Sequence, residues 1–453
     1  MSIRRRTVLV AAVAAVAVTA ASPGLIAATS PPADTSGEDV TISYLTHWGP
    51  ETVELLETAA SAYSEANPNV TVEIQAVPFG DLLTTIRAQA GGDAPTISGI
   101  YDLWLPELVR DELVAPAPEA VAAEVTENWP AGVVTAATVD DALYGVPNEI
   151  DLYALNYNTS LFEEAGIEAP PATWDELVAA AEALTVRDGD TITRQGFGLI
   201  NSWAAGVVHP FASLLASNGG ALIGEDGMPA LNTPEALETF ELYENLVSGV
   251  QVTDPTMGTA DANTTGPFLD NFVAGNTAMI IMANWWESAL RTGMGDEEFA
   301  NIATAPIPVG PSGESPSSIS YSWMTVVSSA AEDAEQAAAW DFLNWLNGPD
   351  STPADGPAGS SAMGNILMSM GILPTRGSDI EAFSDRLSTP FLEGYVGQLE
   401  AATPFPIVLG GQEFTEALQA QIEALEFGQT DAAGASETAQ SDGEAILTAA
   451  AES

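Results

Sequence analysis

Cysteine and lysine are absent from the 453 residues, and histidine occurs only twice, at His47 and His209. Without cysteine there is no disulfide, thiolate nucleophile, zinc–cysteine site or iron–sulfur cluster. Two histidines leave little material for a multi-histidine metal centre. Motifs of common chemistries are missing as well: no nucleophile elbow, no HExxH and no phosphate-binding glycine loop. The segments "GEDG" and "RDGD" carry too few oxygen ligands for an EF-hand calcium loop. No cofactor and no catalysis are expected.

Positive charge is equally scarce. Ten arginines face 63 acidic residues, a formal net charge of −53. Such a field repels nucleic acid and anionic membranes, so neither is expected as a partner. The acids are spread along the chain rather than gathered in a tail, which reads as a solvated surface suited to salt.

What is present is globular. Hydrophobic residues make up 46% of the chain, enough for packed cores. The length exceeds what one average core serves, so two lobes are the natural arrangement. The start, "MSIRRRTVLV", is charged, and "VLVAAVAAVAVTAA" (Val8 to Ala21) is apolar but short for a membrane span. Residues 1–28 therefore read as an export signal cleaved near Ala27 or Ala28, with a retained anchor helix as the competing reading. Arg4, Arg5 and Arg6 fit the twin-arginine route, with general secretion as the alternative. No cysteine follows the apolar run, so no lipid anchor can form there. Residues 29–39 read as a linker, and the mature chain is expected outside the cytoplasm.

Periodicity then alternates between strand and helix. "DVTISYLTHWG" alternates apolar residues, "PETVELLETAASAYSEANP" repeats them at helical spacing, and "VTVEIQAVP" and "TISGIY" are further strands. This β-α-β-α-β run predicts a parallel, doubly wound sheet. A second α/β region follows. In it, "TWDELVAAAEALT" carries a capping box at Thr173 and Glu176, and "TAMIIMANWW" ends an apolar strand in an amide and two tryptophans.

The segment "LYGVPNEIDLYALNYNTSLFEEAGIEAPPATWDELVAAAEAL" (Leu143 to Leu184) resembles the extracellular solute-binding proteins of ATP-driven sugar importers, the group that includes maltose-binding protein. "HWG" followed by "SEANPNVTVE", "AGGDAPTISGIYDLWLPELVRDELVAP", "FVAGNTAMIIMANWW", "APIPVGPSGESPSSISYSWMTVVSS", "AAAWDFLNWL" and "GILPTRGSD" are similar to further family segments in the same order. Their order and spacing carry the resemblance across the mature chain. It implies a two-lobed periplasmic-binding-protein type II α/β fold joined by crossing hinge strands. Lobe one would take residues 40–148 and 302–350, and lobe two 149–301 and 351–450. It also implies a monomer that captures a carbohydrate between the lobes and docks on the permease subunits of an ABC transporter.

Sites in open α/β sheets gather at the carboxyl ends of strands. A sugar cleft combines aromatic plates for the apolar ring faces with acids and amides for the hydroxyls. By the resemblance, Trp285 falls where the family stacks a sugar ring, with Trp286 turned to the core and Asn284 either orienting ligand or ending the strand. His47 and Trp48 follow the first strand. Asp102 and Trp104 occupy the loop of "YDLWLPEL", where Asp102 could instead start a helix. Asp151 lands on an acidic cleft position, with Tyr153 beside it. Trp203 and His209 flank a loop aligned with an aromatic contact. Tyr321 and Trp323 share one face of a strand, either cleft or sheet–helix core. Trp174, Trp340 and Trp345 lie in helices as core, and Arg376 is expected to pair with an acid. Two competitors remain open. One is a receptor of the same fold for a polyamine or other solute. The other is a secreted carbohydrate hydrolase with Asp102 and Asp151 as its carboxylate pair.

Overall fold

The computed structural model describes residues 39–88, 94–261 and 263–452. The expected export signal and nearly all of the linker lie outside the described residues.

Thirteen strands occur among the described residues. The first three are β1 (Val40–Thr46), β2 (Val70–Ala76) and β3 (Ile97–Tyr101). β1 forms because Val40, Ile42 and Tyr44 alternate onto a buried face, while Thr41 stays exposed. The helix Pro50–Ala66 connects β1 to β2. Its proline sits in the first turn, where no backbone donor is needed, and Leu56, Ala59, Ala60 and Tyr63 are buried. β1 pairs in parallel with both β2 and β3, as the β-α-β-α-β pattern predicts.

A small hairpin, β4 (Thr138–Val139) and β5 (Ala142–Leu143), precedes the long strand β6 (Gly145–Asn158). The remaining strands are β7 (Val186–Asp188), β8 (Thr191–Gly198), β9 (Thr277–Ala283), β10 (Ile302–Ala305), β11 (Ile319–Val327), β12 (Leu373–Pro374) and β13 (Thr403–Pro404). The main path through the sheet runs β2-β1-β3-β11-β6-β9-β8-β7. β6 changes partner along its length. Residues 145–152 pair antiparallel with β11, and residues 153–157 pair antiparallel with β9. One continuous strand therefore ties the β1–β3 layer to the β8–β9 layer. This mixed, curled sheet is the two-lobed architecture expected from the sequence.

β9 is buried at all seven positions, as befits a strand covered on both faces. The two C-terminal helices, Gly411–Glu426 and Ala432–Glu452, pack on each other and on Pro234–Glu244. Among the described residues, no helix is long and apolar enough to cross a membrane.

Local signals are mostly realised, with two corrections. Thr173 Oγ1 accepts the Glu176 N–H as expected, but the Glu176 carboxylate accepts from Ala172 N–H, so the box closes one residue upstream. The segment from Trp203 to His209 is not a loop: the helix Ala204–Ser217 starts directly after Trp203 and contains His209. Trp174 and Trp340 are buried and Trp345 packs against Tyr63, as core tryptophans should. Arg376 pairs with Glu124 at 2.8 Å and lies over the Trp129 ring.

Candidate functional site

The carboxyl ends of β1, β2, β3 and β9 converge, and each delivers aromatic side chains. Past β2 comes Phe79, past β1 His47, and at the end of β3 Tyr101 and Trp104. Trp323, on β11, stacks on Tyr101 at 6.1 Å and lies 4.4 Å from the His47 ring. Phe79 contacts Trp104 on one side and Trp203 on the other, at 6.2 and 6.0 Å. Trp203 in turn meets Trp285 at 6.0 Å and Trp286 at 5.8 Å. A continuous aromatic wall thus passes from the β1–β3 layer to the β8–β9 layer.

The tryptophan pair at the end of β9 is not an alternating strand doublet. Asn284–Trp286 forms a 3₁₀ turn, and this turn lets adjacent rings approach to 3.8 Å between centroids. Trp286 is buried against Phe268 and donates to Thr264 O. Trp285 stays half-buried and donates its indole N–H to the Tyr321 hydroxyl at 2.8 Å.

Beneath the wall lies a tight polar layer. His209 is buried between two tyrosines, with Nε2 2.9 Å from the Tyr101 hydroxyl and Nδ1 3.2 Å from the Tyr153 hydroxyl. Burial lowers its pKa to about 3 and that of His47 to about 4, so both rings are neutral at physiological pH. Asp151 is buried, and its Oδ1 accepts the Asn284 amide at 2.9 Å. Asn284 Oδ1 accepts Leu152 N–H, and its amide also reaches Gly371 O. That side chain is fully engaged in positioning Asp151 and is not free for a ligand. Glu149 sits two residues from Asp151 on β6 and is also buried. Burial first, then the neighbouring Asp151 carboxylate, raises the Glu149 pKa. Burial raises that of Asp151 to about 7. No ion pair among the described residues reaches either acid, so the pair holds a proton near neutrality.

A cavity of about 640 Å³ opens in front of this wall. Phe79, Tyr101, Trp104 and Trp203 supply its aromatic lining. The helix Gly411–Glu426 supplies the polar side with Gln412, Glu413, Glu416 and Gln419. Trp104 Nε1 donates to Gln412 Oε1 at 2.9 Å, which spans the cavity's two sides. Arg87 is ion-paired with Glu107, which also accepts Gly410 N–H at the start of that helix.

The expected residues divide accordingly. Trp104 and Trp203 line the cavity. His47, Tyr153, His209, Trp285, Tyr321 and Trp323 belong to the aromatic and polar layer behind it. Asp151 and Asn284 form the buried hydrogen-bonded floor. Trp48 is half-buried against the core and borders neither this cavity nor the smaller one described below. Asp102 opens the 3₁₀ turn Asp102–Trp104 and points away from the cavity, toward Ser322 on β11. Sequence reasoning missed Phe79, Tyr101 and Gln412. The strand-end rule, applied to β2, would have singled out Phe79. Gln412 comes from a helix more than 300 residues away in the chain, and no local pattern marks it.

A family model described as "Bacterial extracellular solute-binding protein" matches residues 49–353. A Brucella abortus protein, named only provisionally as a binding protein, is 29% identical over 260 residues, 57% of this chain and 60% of that one. An arabinooligosaccharide-binding protein of Halalkalibacterium halodurans is 23% identical over 298 residues, 64% of each chain. The chain therefore spans about 60% of the length of the first curated relatives it matches. Among solved structures, maltose-bound MalE3 of T. maritima superposes with a TM-score of 0.75 at 21% identity, covering 90% of this chain and 100% of that one. The GacH receptor of Streptomyces glaucescens gives 0.75 at 20% identity, covering 90% and 98%. At such identities these likenesses establish the fold.

Proposed function

Because the chain belongs to the bacterial extracellular solute-binding protein family, we propose that it is a receptor that captures a carbohydrate in the cleft between its two lobes and hands it to an ABC transporter permease. The observation that carries this reading is the pairing of an aromatic wall with an amide- and acid-rich helix across a cavity of about 640 Å³. Pyranose faces stack on aromatic rings, and carboxylates and amides accept the ring hydroxyls. In this reading residues 40–148 and 302–350 form lobe one, 149–301 and 351–450 form lobe two, and residues 1–28 direct export. The strands β6 and β11 act as the hinge, and ligand draws the lobes together.

Phe79 and Trp104 offer plates from lobe one and Trp203 from lobe two, while Gln412, Glu413 and Glu416 take the hydroxyls. His47, Tyr101, Trp285, Tyr321 and Trp323 hold those plates in place. Relatives named for their sugars point the same way: arabinooligosaccharide for one, maltose and acarbose for the structural neighbours. The protein binds without turnover. Asp102 and Asp151, the carboxylate pair of the hydrolase reading, both lie outside the lining of this cavity.

The test is a thermal-shift screen of the mature chain against maltotriose, mannobiose, arabino-oligosaccharides, spermidine and ferric citrate. Binding stabilises the fold by mass action. A saturable rise with a sugar, with no product released on prolonged incubation, is expected. A response confined to the polyamine or the metal overturns the sugar reading, and turnover of the sugar overturns the binding-only reading.

A further inference from the structure

A second cavity, of about 390 Å³, adjoins the same strands from their other face. On β6 and β11, Ile150, Ser320 and Ser322 alternate with Asp151, Tyr321 and Trp323, so they point away from the aromatic wall. Those three residues line the second cavity. Its character is unlike that of the first. Val133, Leu373, Leu387, Val396 and Ile407 make it aliphatic, and Phe405 is its one aromatic ring besides Tyr321. Among the described residues, the charged ones that line it are both acids, Asp102 and Glu400. The first cavity carries four aromatic rings where this one carries two, so a sugar is the poorer fit here.

Asp102 is the polar end of this chamber. It is 3% exposed. Its Oδ2 accepts both the backbone N–H and the hydroxyl of Ser322, at 2.7 and 3.2 Å. Its Oδ1 is buried and has no partner. A buried carboxylate oxygen without a donor carries a desolvation cost that a donor on a ligand would relieve. No arginine lines the chamber to provide one. The volume falls in the range of small-molecule sites, and the charge of −53 concentrates cations around the protein.

We propose that this chamber is a second binding site, for a small hydrophobic primary amine whose ammonium donates to Asp102 Oδ1 while its apolar body fills the aliphatic space. The amine carries three donors and a full charge, and the ionised Asp102 offers Oδ1 as an acceptor. The site shares no lining residue with the carbohydrate cavity, touches its supporting layer only at Tyr321, and stands or falls independently of it.

Isothermal titration of the mature chain with 2-phenylethylamine tests this directly, with 2-phenylethanol and ethanolamine as controls. Saturable one-to-one binding is expected, weakened about tenfold when the charge is removed (2-phenylethanol) or the apolar body is removed (ethanolamine). Asp102→Asn is expected to lose a similar factor. Gly132→Leu provides a variant that leaves Asp102 untouched. Gly132 lines the chamber, and a Cβ built there meets nothing within 4 Å, so a larger side chain can be introduced at the chamber wall without a clash at its first carbon. It is expected to abolish amine binding while far-ultraviolet circular dichroism and the melting temperature stay near wild type. The proposal is overturned if the wild type shows no saturable binding, or if ethanolamine binds as tightly as 2-phenylethylamine. It is also overturned if folded Gly132→Leu binds the amine like the wild type.

Discussion

Trp285 donates its indole N–H to the Tyr321 hydroxyl over 2.8 Å, so the turn after β9 is held to the face of β11 by one hydrogen bond. Tyr321 is buried and lies 4.7 Å from the His209 ring, which fixes where its hydroxyl sits. Tyr321→Phe removes the acceptor but keeps the ring, leaving the indole N–H of Trp285 unpaired. The expected outcome is a rise in the sugar Kd of about tenfold, the equivalent of roughly 1.4 kcal/mol. Calorimetry on the best sugar from the screen measures it. An unchanged Kd would mean that the angle of Trp285 does not matter to the ligand.

Trp286 and Trp203, whose rings meet at 5.8 Å, should separate stability from affinity. Trp286 is 1% exposed, packed on Phe268 and Trp203. Truncation to alanine leaves a large cavity and is expected to cost about 3–5 kcal/mol of stability. Trp203 is half-buried and lines the 640 Å³ cavity. Trp203→Ala is expected to weaken sugar binding tenfold or more, as central aromatic anchors do, at a stability cost of about 1 kcal/mol. Denaturant melts and calorimetry on both variants give the two columns of data. If both variants shift both quantities equally, the division of labour between the two rings is wrong.

Much of this arrangement was legible in advance because it follows strand chemistry. Alternation in Val40, Ile42 and Tyr44 and the unbroken apolar run of β9 each leave a mark within a few residues. The end of β9 was readable as a place of function, but its geometry was not. A strand would throw Trp285 and Trp286 to opposite faces, whereas a 3₁₀ turn brings their rings together. Residue type alone could not tell Asp102 from Asp151, since either acid could have faced the cleft. Their directions are set by partners far along the chain, Ser322 for one and Asn284 for the other. Gln412 was out of reach for the same reason: it meets Trp104 only once the chain has returned from its C-terminal end.

Stability should fall as pH rises from mildly acidic values through neutrality. Burial raises Asp102 and Asp151 from 3.8 to about 7, so folding favours their protonated forms. Their contribution is lost progressively as pH climbs from about 4 through 7. The histidines run the other way. His47 and His209, lowered from 6.5 to about 4 and about 3, favour folding as pH rises toward 6.5 and are silent above it. Between pH 6.5 and 8 only the acids act, and the self-repulsion of a −53 chain adds to them. A melting series at fixed ionic strength should therefore show a maximum on the mildly acidic side. A melting temperature that climbs from pH 6.5 to 8 contradicts this.

Glu426 sharpens the same argument at a single residue far from the cleft. It sits at the end of the helix Gly411–Glu426, 2% exposed, and neither carboxylate oxygen has a hydrogen-bond partner. Burial, with a smaller push from Glu423, raises its pKa well above the ordinary carboxylate range. The folded state therefore prefers the neutral acid, and its stabilising contribution disappears as pH rises through the elevated folded pKa. Glu426→Gln keeps the shape and stays neutral at every pH. The variant should match the wild type near pH 5 and melt higher than it at pH 8.5, where the wild-type carboxylate is driven toward ionisation in an unpaired setting. Paired melts at the two pH values decide the matter. A variant that loses the same stability at both would show that the carboxylate makes an interaction an amide cannot replace.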